Sequence, residues 1–208
     1  MEVTVIMLAA SKKNESLKGK DLITIGIFSA IYFAINFVFM VSSGLSPYIW
    51  ILYPGILAIF SGVPFMVMAS KVQKPFAVLI MGMITAFIYF ITGQFTVTII
   101  ITFASACIIS EITRYITKYK SFVGNTAAFI FFSLGMTGSP LPIWLFKDSF
   151  LAQITKQGMP VSYVNTLREI SSPAMLVVLF VAPVIGAIIG AFVTKALFKK
   201  HFKKAGII

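Results

Sequence analysis

The chain has 208 residues, of which 59% are hydrophobic and only 11% charged, and its mean hydropathy is +0.98. A soluble domain of this length cannot bury so much apolar surface, so the composition excludes a soluble fold and indicates a chain solvated by lipid. The net charge of +11 lies in short clusters beside apolar runs, which is typical of membrane orientation and contact with anionic lipids rather than nucleic-acid binding.

The apolar runs predict an all-α integral membrane protein, a bundle of six transmembrane helices within residues 19–198. Residues 1–18 form an N-terminal tail and residues 199–208 a basic tail. The predicted spans lie near residues 21–43, 49–69, 76–92, 95–117, 122–146 and 173–197.

Basic residues fix the predicted orientation. All of the 17 lysines and arginines except Lys147, Lys156 and Arg168 lie before the first span, between spans two and three, at or beyond the end of the fourth span and before the fifth, or at or beyond the end of the sixth. Positive residues are retained in the cytoplasm, so both termini are predicted to be cytoplasmic, in a multi-pass protein of the cell membrane.

The outer connections differ in length. Two are short and uncharged, whereas the third, residues 147–172, is about 26 residues long. A loop of that length without structure of its own is unusual, so we expect short helices broken at Gly158 and Pro160. Such a loop could cap a cavity that opens outward.

Ionisable side chains are scarce within the spans. Glu111 and Arg114 lie three residues apart near the inner interface, and a snorkelling ion pair is predicted for them. An ion-driven carrier would place a carboxylate near the membrane midplane, so this scarcity disfavours secondary transport. The single cysteine, Cys107, is predicted to pack in the bundle.

Motifs for catalysis are missing. The one histidine, His201, lies in the basic tail, and the sequence has no HExxH motif, no paired aspartates and no GxxxxGK[ST] phosphate loop. The sequence therefore predicts no enzyme activity, no metal and no cofactor, and the chain cannot be its own ATPase.

Neutral polar and aromatic side chains gather at the outer ends of the spans. Asn36, for example, lies roughly 22 Å along the first span from its inner end. Buried polar groups in lipid need hydrogen-bond partners. Several of them at one predicted depth, here called the polar tier, therefore indicate either interhelical hydrogen bonds or a pocket for a compact, flat, hydrogen-bonding ligand. The candidate ligand-binding residues are Asn36, Tyr53, Tyr89, Thr92, Gln94, Thr96, Thr137, Ser139 and Trp144.

Small residues recur every fourth position in two spans. The first span carries Gly26, Ala30 and Ala34, and the sixth carries Ala182, Gly186 and Gly190. Such a stripe lets another helix approach closely. Packing within the bundle is the expectation for the sixth span, and docking onto a separate membrane protein is the alternative for the first.

Four segments carry a family resemblance: Leu17 to Asn36, the sequence KVQKP at 71–75, the sequence ITGQF at 91–95, and the basic C-terminus. With these segments the chain resembles the Trep_Strep family, also called the MptD family, over about residues 17–204. The family is regarded as a group of S components of energy-coupling factor (ECF) transporters.

The resemblance implies a six-helix subunit that captures a vitamin or related micronutrient outside the cell. It implies as partners a transmembrane coupling subunit and two ATPase subunits, with Gly26, Ala30 and Ala34 at the docking face. It also implies delivery by toppling, in which the loaded bundle rotates in the membrane. A self-sufficient facilitator or channel is the alternative function, and a membrane enzyme with an unrecognised site is a weaker one.

Overall fold

The structure is a computed structural model that describes residues 16–93 and 96–199. The helices are α1 (Gly19–Ser43), α2 (Pro47–Lys71), α3 (Ala77–Ile91), α4 (Val97–Ile116), α5 (Phe122–Leu134), α6 (Pro142–Leu145), α7 (Lys147–Lys156), α8 (Val161–Ile170) and α9 (Pro173–Leu197). A 3-10 helix, Gly135–Gly138, follows α5, and the described residues contain no β-strand. The predicted all-α membrane fold is confirmed.

Helix lengths divide the bundle into two groups. By length and composition, α1, α2, α4 and α9 can each cross a membrane. The α3 helix has 15 residues, about 22 Å, which is shorter than a hydrocarbon core of about 30 Å, and the apolar segment Phe122–Gly138 is also short. Within residues 16–93 and 96–199 the structure therefore supports four full-length spans, and the predicted third and fifth spans are shortened.

The predicted fifth span, 122–146, is not one helix. The α-helix ends at Leu134, where the chain lies directly against α4. A Cβ atom added to Gly135 would lie 2.6 Å from the Phe103 ring, and one added to Gly138 would lie 2.7 Å from the Thr98 carbonyl oxygen. Pro140 and Pro142 follow and cannot donate backbone hydrogen bonds, so the regular helix stops here.

The α2 helix lies at the centre of the bundle. Its most apolar stretch is 72% buried, compared with 22% for α1. Glycines bring α2 and α9 into backbone contact: a Cβ atom added to Gly62 would lie 2.5 Å from the backbone carbon of Gly190. The small-residue stripe of the sixth span therefore packs within the bundle, as expected for it.

The prediction of a snorkelling Glu111–Arg114 pair is wrong, because Arg114 is fully buried. Its guanidinium donates to the carbonyl oxygens of Ala69 (3.0 Å) and Val72 (2.8 Å) and to Oδ1 of Asn125 (3.1 Å). The two carbonyls belong to the end of α2, where a cation is favoured by the helix dipole.

Glu111 instead holds the start of α3. Its two carboxylate oxygens accept from the backbone N–H groups of Phe76 (2.9 Å) and Val78 (3.0 Å). Phe76 has a φ of 69°, a left-handed conformation that is uncommon for a residue with a side chain. Glu111 and Arg114 therefore fix the two sides of the turn between α2 and α3.

The basic clusters within the described residues meet at one end of the bundle. Lys74 pairs with Asp21 at 2.6 Å, which joins the α2–α3 turn to the start of α1. The Lys195 ammonium lies 4.6 Å from the centre of the Phe122 ring, which joins the end of α9 to the start of α5. This lysine-rich end matches the clustering in the sequence. The lysines before residue 16 and after residue 199 lie outside the described residues.

Candidate ligand-binding cavity

A cavity of about 590 Å³ opens at the end of the bundle opposite the lysine-rich end. Its walls come from the end of α1, the start of α2, the end of α3, the start of α4, the 3-10 helix, α7 and α8. The residues that line it are Met40, Val41, Ser43, Gly44, Trp50, Tyr53, Tyr89, Gly93, Thr96, Ile99, Met136, Ser139, Phe150, Gln153, Ile154, Gln157, Met159, Tyr163 and Leu167.

The cavity lies beside the ends of the two shortened segments. Tyr89 lies near the end of α3, Met136 lies in the 3-10 helix that follows α5, and both line the cavity. The cavity volume falls in the range typical of small-molecule sites.

Helices α7 and α8, which we call the cap, cover the cavity. They pack on each other through Leu151, Ile154, Val164 and Leu167, which form a small core of their own. The helices are separated at Gly158, whose φ is +90°, and Pro160, where the sequence predicted the break. The predicted helical pieces in loop 147–172 are therefore present.

One hydrogen bond attaches the cap to α1, a second joins its two helices, and a third joins the segments that flank it. The Tyr163 hydroxyl donates to the Ser43 carbonyl at the end of α1 (3.1 Å), and Lys147 Nζ donates to the Arg168 carbonyl (3.0 Å). Trp144 Nε1 donates to the Ser172 carbonyl (3.0 Å), which ties the two ends of the cap segment. Burial raises the pKa of Tyr163 to about 12, so its hydroxyl is neutral at physiological pH.

A buried polar cluster forms the floor of the cavity. The Tyr53 hydroxyl donates to Oδ1 of Asn36 and lies 3.1 Å from the Tyr89 hydroxyl. The Met136 sulfur lies 3.4 Å from the Tyr53 hydroxyl and 3.5 Å from Nδ2 of Asn36. These groups satisfy one another, so the polar floor is stable within an apolar bundle.

Four predicted ligand-binding residues line the cavity: Tyr53, Tyr89, Thr96 and Ser139. They come from four different segments and line one cavity, so the structure brings this part of the predicted polar tier together. Thr96 also caps α4, because its hydroxyl accepts from the Ile99 N–H (3.3 Å).

The other predicted residues do not line the cavity. Asn36 is fully buried behind Tyr53, and the Trp144 ring is held by its bond to Ser172. Thr92 and Thr137 bond to carbonyls of their own segments, Ile88 (2.9 Å) and Leu134 (2.7 Å), as threonines in apolar helices commonly do. Gln94 lies outside the described residues.

The sequence predicted a cap over the cavity but did not identify which residues of the cap line it. Gln153, Gln157 and Tyr163 line the cavity, as do Trp50 and Phe150, whose rings stack with their centres 5.5 Å apart. The one available signal was the spacing of the glutamines, four residues apart in a loop expected to be helical. Their approach to the cavity depends on how the cap folds back.

The stripe of the first span lies on the outside of the bundle. Ala30 and Ala34 are exposed and Gly26 is half-buried, and a Cβ atom added to Gly26 would meet nothing within 4 Å. This stripe therefore differs from that of α9, where the added atom would clash with α2. It lies between exposed apolar side chains such as Ile27 and Ile31.

We expect Asn36→Ala to lower the free energy of unfolding by about 1–3 kcal/mol, because the buried Tyr53 hydroxyl loses its acceptor. Thermal unfolding of the ligand-free protein in detergent measures the effect. Asn165→Ala, which removes an exposed amide from the cap, serves as the matched control and should change little. Equal stability of both variants and the native protein would contradict the assigned role of Asn36.

A model of the family described as hypothetical bacterial integral membrane protein (Trep_Strep) matches residues 19–204. Neither a curated protein nor a solved structure matches the chain. The match covers every helix of the bundle and the cap, and it agrees with the resemblance found in the sequence. The chain therefore belongs to the Trep_Strep family of bacterial integral membrane proteins.

Proposed function

We propose that this chain is the substrate-binding S component of an ECF-type importer. The observation that carries the proposal is the cavity of about 590 Å³, walled by neutral side chains and covered by the cap, at the end of the bundle opposite the lysine-rich end. With the lysine-rich end in the cytoplasm of a bacterial cell, the cavity faces outward and could capture a micronutrient.

The exposed stripe on α1 supports a partner in the membrane. A helix from another subunit could approach Ala30 and Ala34 closely, since neither packs against this bundle. The partner is the ECF coupling subunit, which in turn binds two ATPase subunits. The chain carries no phosphate-binding motif of its own, so the energy for import must come from such partners.

The scarcity of charge on the sides of the bundle is compatible with toppling. The exposed flanks of α1, α4 and α9 are rich in apolar side chains such as Ile27, Ile101 and Phe192. The one arginine within a described span, Arg114, is shielded inside the bundle. Rotation within the membrane would therefore bring little charge from the bundle sides into contact with lipid tails.

A self-sufficient facilitator or channel is the alternative. Beneath the polar floor, Phe65, Phe129 and Phe132 pack with ring centres 4.8–5.1 Å apart and are fully buried. Tight aromatic packing directly below the floor favours a closed binding pocket over a continuous pore.

Uptake with and without partners tests the proposal. Cells that express the chain together with coupling and ATPase subunits should accumulate at least one micronutrient from rich medium, measured by mass spectrometry of the washed cells. Cells that lack any one subunit should not. Purified chain in liposomes should bind the same compound without passing it across the bilayer, and rapid flux through the chain alone would support the facilitator instead.

A further inference from the structure

The cavity wall is uncharged. Among the described side chains that line it, none is an aspartate, glutamate, lysine, arginine or histidine. The charged residues of the cap lie elsewhere: Lys147 bonds to a carbonyl, and Arg168 lies 3.7 Å from Asp148 on an exposed face. Lys156 and Glu169 are also exposed and do not line the cavity. A buried charge without a counter-charge costs several kcal/mol, so this cavity disfavours charged ligands.

Two aromatic rings form a flat part of the cavity wall. Trp50 on α2 and Phe150 on α7 stack on each other with ring planes only 3° apart, and both residues line the cavity. Met40, Met136 and Met159 lie around the same space, and thioethers pack well against aromatic rings. Flat aromatic faces and polarisable sulfur atoms favour a planar, conjugated ligand.

Two carboxamides of the cap face the cavity space. Gln153 and Gln157 are exposed, lie four residues apart on one face of α7, and both line the cavity. Neither carboxamide bonds to another described residue. Each offers one acceptor and two donors, which match the adjacent N–H and C=O groups of a cyclic amide.

From these three observations we infer that the cavity binds an uncharged, planar heterocycle with a cyclic-amide edge, recognised by Gln153 and Gln157. The inference rests on the proposed binding function and narrows its substrate class. It excludes permanently cationic rings and carboxylate-bearing ring compounds as the preferred ligands. Cyclic amides include the pyrimidinone edges of purine-like and pterin-like rings.

The test uses matched probes. The full chain, purified in detergent, is mixed at mildly acidic pH with equal amounts of pterin, lumazine, hypoxanthine and nicotinamide, together with pterin-6-carboxylate, orotate, thiamine and nicotinate. Compounds retained by the protein are measured by mass spectrometry. We expect a fused-ring neutral cyclic amide to be retained at least about tenfold more strongly than any charged compound.

Glutamine variants complete this first arm of the test, the retention of defined compounds. Gln153→Ala and Gln157→Ala should each weaken retention of that compound by about threefold to tenfold, since each removes one or two hydrogen bonds. Gln73→Ala, which alters an exposed glutamine at the lysine-rich end, should retain the native affinity. Preference for a charged compound, no retention of any neutral one, or unchanged affinity in both cap variants would overturn the inference.

A second arm separates this inference from the function on which it rests. The same protein is incubated with a deproteinised yeast extract, and the retained small molecules are identified. Retention of a charged or non-planar nutrient would overturn the substrate class and leave the binding function standing. Retention of nothing in either arm would count against both.

Discussion

Replacing Ala30 or Ala34 with leucine is expected to abolish transport while ligand affinity stays unchanged. Both alanines are exposed on α1 and lie away from the cavity. Leucine would hold a docking helix apart from this surface, and overpacking of that kind costs about 1–3 kcal/mol, which weakens association up to about a hundredfold. Cellular uptake measures transport, and binding to the purified chain measures affinity.

The matched control is Ala104→Leu. Ala104 is also exposed, but it lies on α4, so the same change in volume should leave transport intact. Co-purification of the coupling subunit with each variant adds a direct readout of docking. Normal uptake by both α1 variants would refute the docking surface, and loss of ligand binding by them would show that α1 acts on the cavity.

Replacing Arg114 with methionine should produce the largest loss of stability, about 3–5 kcal/mol. The change leaves the carbonyls of Ala69 and Val72 and the Asn125 side chain without their donor inside the bundle. The end of α2 and the turn to α3 should loosen. Thermal unfolding in detergent, followed by helical circular dichroism, measures the loss.

Two further variants test whether the loss of stability is specific to the buried guanidinium. Arg114→Lys keeps the charge but cannot reach three acceptors in one plane, so its loss should be intermediate. Lys120→Met removes an exposed cation from the same end and should change stability by less than about 0.5 kcal/mol. Native stability of Arg114→Met would show that the buried guanidinium is dispensable.

Residues of the segments that carry the family resemblance make contacts that stabilise the bundle. Asp21, in the first segment, pairs with Lys74 in the second, and Val72, also in the second, accepts from Arg114. Asn36, at the end of the first segment, supports the cavity floor rather than the ligand directly. The first two segments are therefore joined at the lysine-rich end of the bundle, which their separation along the chain does not reveal.

The class of protein, its apolar helices, the clustering of its basic residues and its cap of short helices were all predictable from the sequence. These features depend on local patterns: long apolar runs partition into lipid, lysines accumulate beside them, and Gly158 and Pro160 interrupt a helix. The predicted start and end of the spans differ from those of the helices mainly where Gly135 and Pro140 end α5 early.

Which residues line the cavity, and where the Arg114 side chain lies, depend on packing between distant segments. The direction in which each side chain points is set by the rotation of its helix, and close contact of Gly62 with Gly190 fixes how α2 and α9 face each other. Arg114 bonds to carbonyls more than 40 residues away, and Gln153 reaches the cavity only because the cap folds over it. Periodicity within one helix cannot specify such contacts, because they arise from the shapes of two or more helices together.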